Sequence, residues 1–173
     1  MDVNIIEDSG NDLISISTLI NNFLVEKILA DDGSAIEVLM YETFKGMGLD
    51  ESLLRLAEPI YGFANQSIKV KGLVTMIVVL GQGNNKLTLL TKFLVVDLPF
   101  TYNAIIDRPL MKKTSMVTTV YCLTVKFPTP TKIGYIKVDQ ATTRQCHIQS
   151  LQLNRQVVGA TWKELFKNVL AIE

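Results

Sequence analysis

Apolar and polar residues alternate in the first part of the chain, and a period of two is typical of half-buried β-strands. The alternation runs over residues 13–20 and resumes over residues 23–29, and Asn21-Asn22 separates the two runs. Paired asparagines between apolar runs are a turn signal. We therefore predict a hairpin whose second strand leads directly to Asp31.

Two short helical segments are predicted after the next apolar run. Residues 41–47 are expected to form a helical turn that ends at Gly48. Asp50 is expected to cap a second short helix over residues 51–57, because aspartate is a preferred residue before the first helical turn. Three leucines of that helix are expected to face inward: Leu53, Leu54 and Leu56.

Strand-forming residues dominate the segments that follow. Residues 73–80 and 87–96 are rich in aliphatic residues and threonine, and the glycine- and asparagine-rich segment 81–85 between them predicts a turn. Residues 104–106 predict a short strand, and Pro109 then indicates the start of a helix. Further strands are expected over residues 115–127 and 135–138.

About eight short strands with few helical turns favour a mainly β fold, closer to a barrel than to an open α/β sheet. The length of 173 residues is that of one domain. We expect a flexible lead-in over residues 1–11, a β-barrel domain over residues 12–138, and a linker or tail over residues 139–173. In the tail, a capping box predicts a short helix over residues 161–170.

The composition argues against several classes of function. The 17 basic and 17 acidic residues cancel and form no basic run, so we expect no nucleic-acid binding by this domain. The longest apolar stretches are much shorter than the ~20 residues that a membrane helix needs, so we expect no membrane partner. Cys122 and Cys146 have no metal-site spacing and are expected to be free thiols in a reducing, intracellular compartment.

The single histidine, His147, argues against a histidine-dependent triad and against a multi-histidine metal site within one chain. We expect His147 to be a solvated surface residue, and we expect no metal and no other cofactor. If the protein is a hydrolase, carboxylates are therefore its expected chemistry.

The segment Asp31-Asp32-Gly33-Ser34-Ala35 is the candidate for that chemistry, and it has two interpretations. As a functional loop, it follows a strand that aims a carboxylate into a cleft, where Gly33 permits close approach of a substrate and Ser34 orients the carboxylate. As a structural element, it is a turn, because aspartate, glycine and serine are common turn formers. A third hypothesis is a β-rich interaction domain with a calcium-like loop, but the repeated acidic spacing of such a loop is absent.

Several segments, in their order along the chain, resemble the retropepsin-like aspartic protease domain of gypsy-type long-terminal-repeat retrotransposons, particularly the domain in plant polyproteins. The similarity runs from about residue 12 to residue 149. Its active-site segment is Ile28-Leu29-Ala30-Asp31-Asp32-Gly33-Ser34-Ala35-Ile36-Glu37-Val38-Leu39. The other similar segments are residues 44–49, 60–63, 93–97, 102–109 and 126–130.

The resemblance implies a retropepsin-like closed β-barrel with one or two short helices, to which the predicted C-terminal helix is added. It also implies a role for each residue that matches a functional position of the family. These residues are catalytic Asp31; the active-site loop Asp32, Gly33, Ser34 and Ala35; the flap residues Tyr61, Gly62, Phe63 and Ala64; and the supporting loop Ile105, Ile106 and Asp107.

A further implication of the resemblance is a homodimer, because the chain offers one aspartate loop where a pepsin-like enzyme carries two. Each subunit then contributes Asp31 to a pair of carboxylates that share one proton across a two-fold axis. The implied activity is cleavage of an extended peptide or polyprotein substrate without a cofactor. The implied location is the cytoplasm or a virus-like particle.

Two departures from the family's pattern support a different hypothesis. Asp32 stands where the family usually has threonine or serine, so a dimer adds two carboxylates to a site that already holds two. Asp107 stands where the family normally has glycine, and its side chain is expected to cause strain or to move the loop outward. The alternative function is a degenerate, non-catalytic barrel that binds peptides or only dimerises. Residues after 149 do not resemble the domain, which predicts a fragment of a longer polyprotein or a terminated reading frame.

Overall fold

The computed structural model describes residues 14–31, 35–57, 60–61, 67–119, 123–142, 144–145 and 149. Strands and two short helices account for most of these residues. The strands are β1 (Ile14–Ile20), β2 (Phe23–Ala30), β3 (Glu37–Met40), β4 (Ile60–Tyr61), β5 (Ser67–Gln82), β6 (Asn85–Asp97), β7 (Ala104–Ile106), β8 (Val117–Thr119), β9 (Thr124–Pro128) and β10 (Ile133–Lys137). The helices are α1 (Tyr41–Gly46) and α2 (Arg108–Thr114).

Six of the described strands close a barrel. Neighbouring strands follow the order β1-β2-β7-β3-β6-β5, and β1 pairs back with β5. The pairs β2–β7 and β3–β6 are parallel, whereas the other pairs around the barrel are antiparallel. β4 extends the sheet beside β5, and β8, β9 and β10 form a separate three-stranded sheet. The prediction of a mainly β, closed barrel with short helices is confirmed.

The predicted first hairpin is present, with β1 paired antiparallel to β2. Asn21 and Asn22 form its turn with φ angles of 47° and 66°. Two positive φ angles in a two-residue turn match the twist of the flanking strands, and asparagine tolerates this conformation better than most residues. The turn therefore sets the register of the pairs next to it, from Ile20↔Phe23 to Thr18↔Val25, and a register shift between Ile16 and Thr18 separates these from the pairs that lead to Asp31.

The two predicted helical segments have different outcomes. Helix α1 is present as expected, and Gly48 follows it with a φ of 69°. Asp50 accepts a hydrogen bond from the Ser52 N–H at 2.7 Å, as a capping residue does. The segment that it caps is only a single 3₁₀ turn, Glu51–Leu53, so the predicted helix over residues 51–57 was wrong.

The reason lies in the backbone that follows the 3₁₀ turn. The N–H and C=O of Arg55 both pair with Leu73 of β5, and backbone groups paired with a strand cannot continue a helix. Leu53 and Leu56 are 51% and 100% exposed, which contradicts the expectation that they face inward. Leu54 does pack against the core.

The long hairpin of β5 and β6 has longer strands and a shorter turn than predicted. Gly83 and Asn84 alone separate the two strands, and Gly83 has a φ of 58°. Pairing continues from Lys69↔Asp97 to Gln82↔Asn85 with one shift of register. The hairpin therefore supplies one continuous wall of the barrel.

Beyond α2, the predicted strand over residues 115–127 is two strands, β8 and β9, which pair antiparallel. Leu123 precedes β9 with a φ of 46°, a left-handed conformation that interrupts an extended strand. The prediction of one strand was therefore wrong, while β10 confirms the strand expected near residues 135–138.

Some expectations lie outside the described residues. They are the lead-in over residues 1–11, the helix over residues 161–170, and the environments of Cys122, Cys146 and His147. The proposed domain boundaries remain predictions. In the described part of the chain, no helix is long and apolar enough to cross a membrane.

The barrel strands next to Asp31 are buried on both faces. In β7, Ala104 and Ile106 belong to the main apolar core, whereas Ile105 belongs to a second, smaller apolar cluster. All four residues of β3 are buried as well. A strand covered on both sides favours apolar residues at successive positions, and this explains the runs without alternation at residues 38–40 and 104–106.

Candidate active site

Asp31 lies directly after the last residue of β2. Its backbone N–H donates a hydrogen bond to the C=O of Ile106 at 3.0 Å, and the residue is half-buried. This bond continues the parallel pairing of β2 with β7, in which Ala30 is opposite Ile106. The backbone at Asp31 is therefore fixed to the barrel wall at the point where the chain leaves it.

β7 is the central strand of this site. It pairs parallel with β2, which enters the Asp31 segment, and antiparallel with β3, which leaves it. Asn103, immediately before β7, links both neighbours: its C=O accepts the Met40 N–H at 3.0 Å, and its own N–H donates to the Lys27 C=O at 2.9 Å. Its side-chain Nδ2 donates to the Glu26 C=O at 2.8 Å. Both ends of the Asp31 segment are thus held by one strand.

Glu37, the first residue of β3, is a site residue that the sequence reasoning missed. It is only 3% exposed. Its Oε2 accepts the Asp107 N–H at 2.5 Å, and its Oε1 accepts the Leu110 N–H at 2.6 Å. The available signal was a charged residue inside a short apolar strand, because a glutamate is rarely buried without partners.

Burial raises the pKa of the Glu37 carboxyl to about 7, although the N–H groups of Asp107 and Leu110 act in the opposite direction. The negative charge of the Asp107 side chain raises the pKa further. Desolvation therefore outweighs the two hydrogen bonds, and Glu37 changes its protonation state near neutral pH.

The backbone at Asp107 does not show the strain that was expected at this position. Its φ of −128° and ψ of −169° are ordinary extended values, so no residue-specific strain exists in the backbone. The side chain is completely buried, and its Oδ1 accepts the Arg108 N–H at 2.8 Å as the N-cap of α2. Asp107 caps a helix that has Pro109 in its first turn, and its backbone is unstrained.

The structure brings together five of the predicted site residues around β7. Asp31, Ile105, Ile106 and Asp107 meet at its end, and Ala35 lines an adjacent open cleft of about 510 Å³ that Glu37 and Leu110 also line. The other predicted residues cannot be placed in the same way. Tyr61 is in β4, opposite Ser67 of β5, and the residues outside the described part of the chain are Asp32, Gly33, Ser34, Gly62, Phe63 and Ala64.

Among the residues that the structure describes, no group of three histidine, cysteine, aspartate or glutamate residues could hold a metal ion.

Comparison with known proteins gives a fold but no sequence family. No family model matches the chain, and no curated protein matches it significantly. Among solved structures, the chain is similar to the retroviral protease-like domain of Ddi1 from Leishmania major, with a TM-score of 0.58 and 16% identity. That similarity covers 73% of this chain and 94% of the Leishmania domain.

Two further structures have lower scores. A retropepsin-like aspartic protease from Rickettsia conorii matches with a TM-score of 0.49 and 17% identity, over 70% of this chain and 80% of its own. The EIAV protease in complex with the inhibitor HBY-793 matches with a TM-score of 0.44 and 16% identity, over 65% of this chain and 93% of its own. We base the assignment on the Leishmania domain alone: the chain has the retropepsin-like aspartic protease fold.

Proposed function

We propose that this chain is an aspartic endopeptidase that acts as a homodimer and processes the polyprotein of a gypsy-type retrotransposon of the plant type. One observation carries the proposal: Asp31 leaves β2 with its backbone bonded to Ile106, within a barrel of retropepsin-like fold. The match of segments in order along the sequence supports the retrotransposon origin.

We infer a homodimer from the number of aspartate loops in the sequence. The sequence has one segment of the form Asp-Asp-Gly-Ser, which begins at Asp31, and an aspartic protease needs two carboxylates. A two-fold axis beside Asp31 supplies the second carboxylate from an identical subunit. At close range the two carboxylates cannot both ionise easily, so the pair holds one proton between them.

The pair then performs general acid–base catalysis on a bound water. The ionised carboxylate takes a proton from the water, and the resulting oxygen nucleophile attacks the scissile carbonyl carbon. The protonated carboxyl donates a hydrogen bond to the carbonyl oxygen as negative charge develops there. Transfer of a proton to the amide nitrogen then allows the C–N bond to break, which releases an amine and a carboxylic acid.

The proposed substrate is an extended peptide, which binds by adding a strand. The hairpin of β4 and β5 is the proposed flap, with Tyr61, Gly62, Phe63 and Ala64 as its substrate-binding residues. Closure of such a hairpin excludes water from the reacting groups. The proposed location is intracellular, where newly made polyprotein is cleaved.

A cleavage assay tests the proposal. The natural chain and the Asp31→Asn variant are incubated with a broad peptide library from pH 4 to pH 7, and the products are identified by mass spectrometry. We expect the natural chain to cleave and the variant to lose about 10²–10⁴-fold in rate, because asparagine cannot exchange the catalytic proton. Asp50→Asn is the matched control, since Asp50 is exposed and asparagine also caps a helix.

The proposal is wrong if Asp31→Asn cleaves as fast as the natural chain. It is also wrong if neither the natural chain nor an Asp32→Ser variant cleaves while sedimentation shows both to be folded dimers. Asp32→Ser restores the hydroxyl that the family has after its catalytic aspartate, so its failure could not be attributed to additional negative charge.

A further inference from the structure

The peptide group between Ile106 and Asp107 is hydrogen-bonded on both sides. Its C=O accepts the backbone N–H of Asp31 at 3.0 Å. Its N–H donates to the Glu37 carboxyl at 2.5 Å. Because a peptide group is planar, a side chain that fixes the N–H also fixes the direction of the C=O. One rigid unit therefore connects Glu37 with the backbone of Asp31.

We propose that Glu37 is a positioning residue, which holds Asp31 in its catalytic place through the Ile106–Asp107 peptide. The catalytic consequence rests on the proposed function, but the mechanical link does not. The Glu37 carboxyl also accepts the Leu110 N–H at 2.6 Å. This second bond holds the carboxyl in place, so that the carboxyl does not shift together with the Ile106–Asp107 peptide. Glu37 therefore anchors the end of β7 and the first turn of α2 together.

Electrostatics strengthens this link. A hydrogen bond to a charged acceptor is stronger than one between neutral groups, and hydrogen bonds in a chain polarise one another. When Glu37 is ionised, the Asp107 N–H is drawn towards it, and the Ile106 oxygen becomes a better acceptor for the Asp31 N–H. The strength of the hydrogen bond from the Asp31 N–H is therefore expected to depend on the protonation state of Glu37, although Asp31 follows β2 and Glu37 begins β3.

The charged groups around Glu37 come from two neighbouring elements. Asp107, the N-cap of α2, opposes ionisation of Glu37. Lys92 of β6 and Lys113 of α2 line the same cleft, and the Lys113 Nζ is 3.1 Å from the Leu90 C=O.

The other elements packed against β3 contribute less charge. β7 offers the apolar side chains of Ala104, Ile105 and Ile106. In α1, Glu42 and Lys45 form an ion pair with each other at 2.6 Å. Burial and the charge of Asp107 therefore raise the pKa of Glu37, and the N–H groups of Asp107 and Leu110 lower it.

An NMR titration of the natural chain tests the link without any substitution. Amide protons of Asp31, Asp107 and Leu110 are followed from pH 4 to pH 8. We expect the Asp107 and Leu110 signals to move with a common midpoint near the Glu37 pKa of about 7, and a component of the Asp31 shift to have the same midpoint. The same titration in the Asp31→Asn variant shows whether the response of the residue 31 amide depends on a carboxyl at that position.

Glu37→Gln should abolish the component near neutral pH at all three amides, whereas Glu26→Gln, an exposed glutamate on β2, should leave it unchanged. The proposal is overturned if Asp107 and Leu110 titrate with Glu37 while Asp31 does not, or if none of the three responds. This readout needs no catalysis, so it stays decisive even if the natural chain cleaves nothing and the proposed function fails.

Kinetics then test the catalytic consequence. Glu37→Gln keeps the shape of the side chain but replaces one acceptor oxygen with a donor, so only one of the two N–H bonds can form. We expect kcat to fall by about 10- to 100-fold with KM changed by less than about 2-fold, because misplacement affects Asp31 and not the peptide pockets. Equal cleavage by Glu37→Gln and the Glu26→Gln control would overturn the positioning role.

Discussion

The β5–β6 hairpin and the corner where β7 meets α2 are stabilised in opposite ways. In the hairpin, backbone pairs with backbone from Lys69↔Asp97 to Gln82↔Asn85, and a turn of two residues sets the register. In the corner, the N–H groups of Asp107 and Leu110 have a side chain as acceptor, and that side chain is 70 and 73 positions away in sequence.

The two regions therefore have different roles: one stabilises the barrel, and the other positions Asp31. A ladder of many similar bonds tolerates the loss of one, and its stability depends mainly on the apolar residues it buries. The corner depends on a single carboxyl that is costly to bury and that titrates near neutral pH. The hairpin therefore accounts for much of the stability of the barrel, whereas the corner sets the position of Asp31.

The largest predicted effect on stability is in the hairpin. Phe93 of β6 is fully buried in the main core, so Phe93→Ala should lower the free energy of unfolding by about 3–5 kcal/mol. Leu90 of the same strand is 61% exposed, and Leu90→Ala should change it by less than about 0.5 kcal/mol. Urea unfolding followed by circular dichroism measures both. Similar losses in the two variants would contradict the assignment of the core to the Phe93 side.

The second prediction concerns the pH dependence of stability at the corner. Native Glu37 has a pKa raised from 4.5 to about 7, so the folded state holds its proton more tightly than the unfolded chain does. This contribution is fully present below pH 4.5 and is lost as the pH rises to about 7, with a total of about 3 kcal/mol. The difference in unfolding free energy between the natural chain and Glu37→Gln should follow this curve. A difference that is constant from pH 4 to pH 8 would contradict it, and Glu26→Gln is the control.

The smallest predicted effect comes from Asp107. Asp107→Asn keeps an acceptor for the Arg108 N–H but removes the charge that raises the pKa of Glu37. The midpoint of the Glu37 titration should therefore move to lower pH, and stability at pH 7 should rise by less than about 1 kcal/mol. Asp97→Asn, at the end of β6, removes a charge outside the corner and should leave the midpoint unchanged. An unchanged midpoint in Asp107→Asn would show that the two carboxyls do not interact.

The hairpins were predictable because their signals are local. Asn21-Asn22 between two alternating runs gives the position of the first turn, and the glycine- and asparagine-rich segment at residues 81–85 contains the two residues, Gly83 and Asn84, that join β5 to β6. The predicted helix over residues 51–57 failed because a distant partner, Leu73, pairs with the backbone of Arg55. A local propensity contains no information on such a competitor.

The candidate site was predictable only in part for the same reason. Asp31 stands at a strand end that the alternation reveals, and the resemblance of the segments assigns it a role. Asp107 was interpreted as a defect, although aspartate before Arg108 and Pro109 has the pattern of a helix cap. Glu37 could not be connected with Asp107 from the sequence, because only the pairing of β3 with β7 brings them together.

The most direct test of the central claim, that one Asp31 from each of two subunits forms the catalytic pair, is subunit mixing. Natural chain at a fixed concentration is mixed with an equal amount of Asp31→Asn, and differently tagged chains verify that subunits have exchanged. Random pairing leaves only about half of the natural chains in natural dimers, so the cleavage rate should fall to about half and continue to fall as more variant is added. An unchanged rate in the presence of verified mixed dimers would contradict the account, because one Asp31 per active unit would then be sufficient.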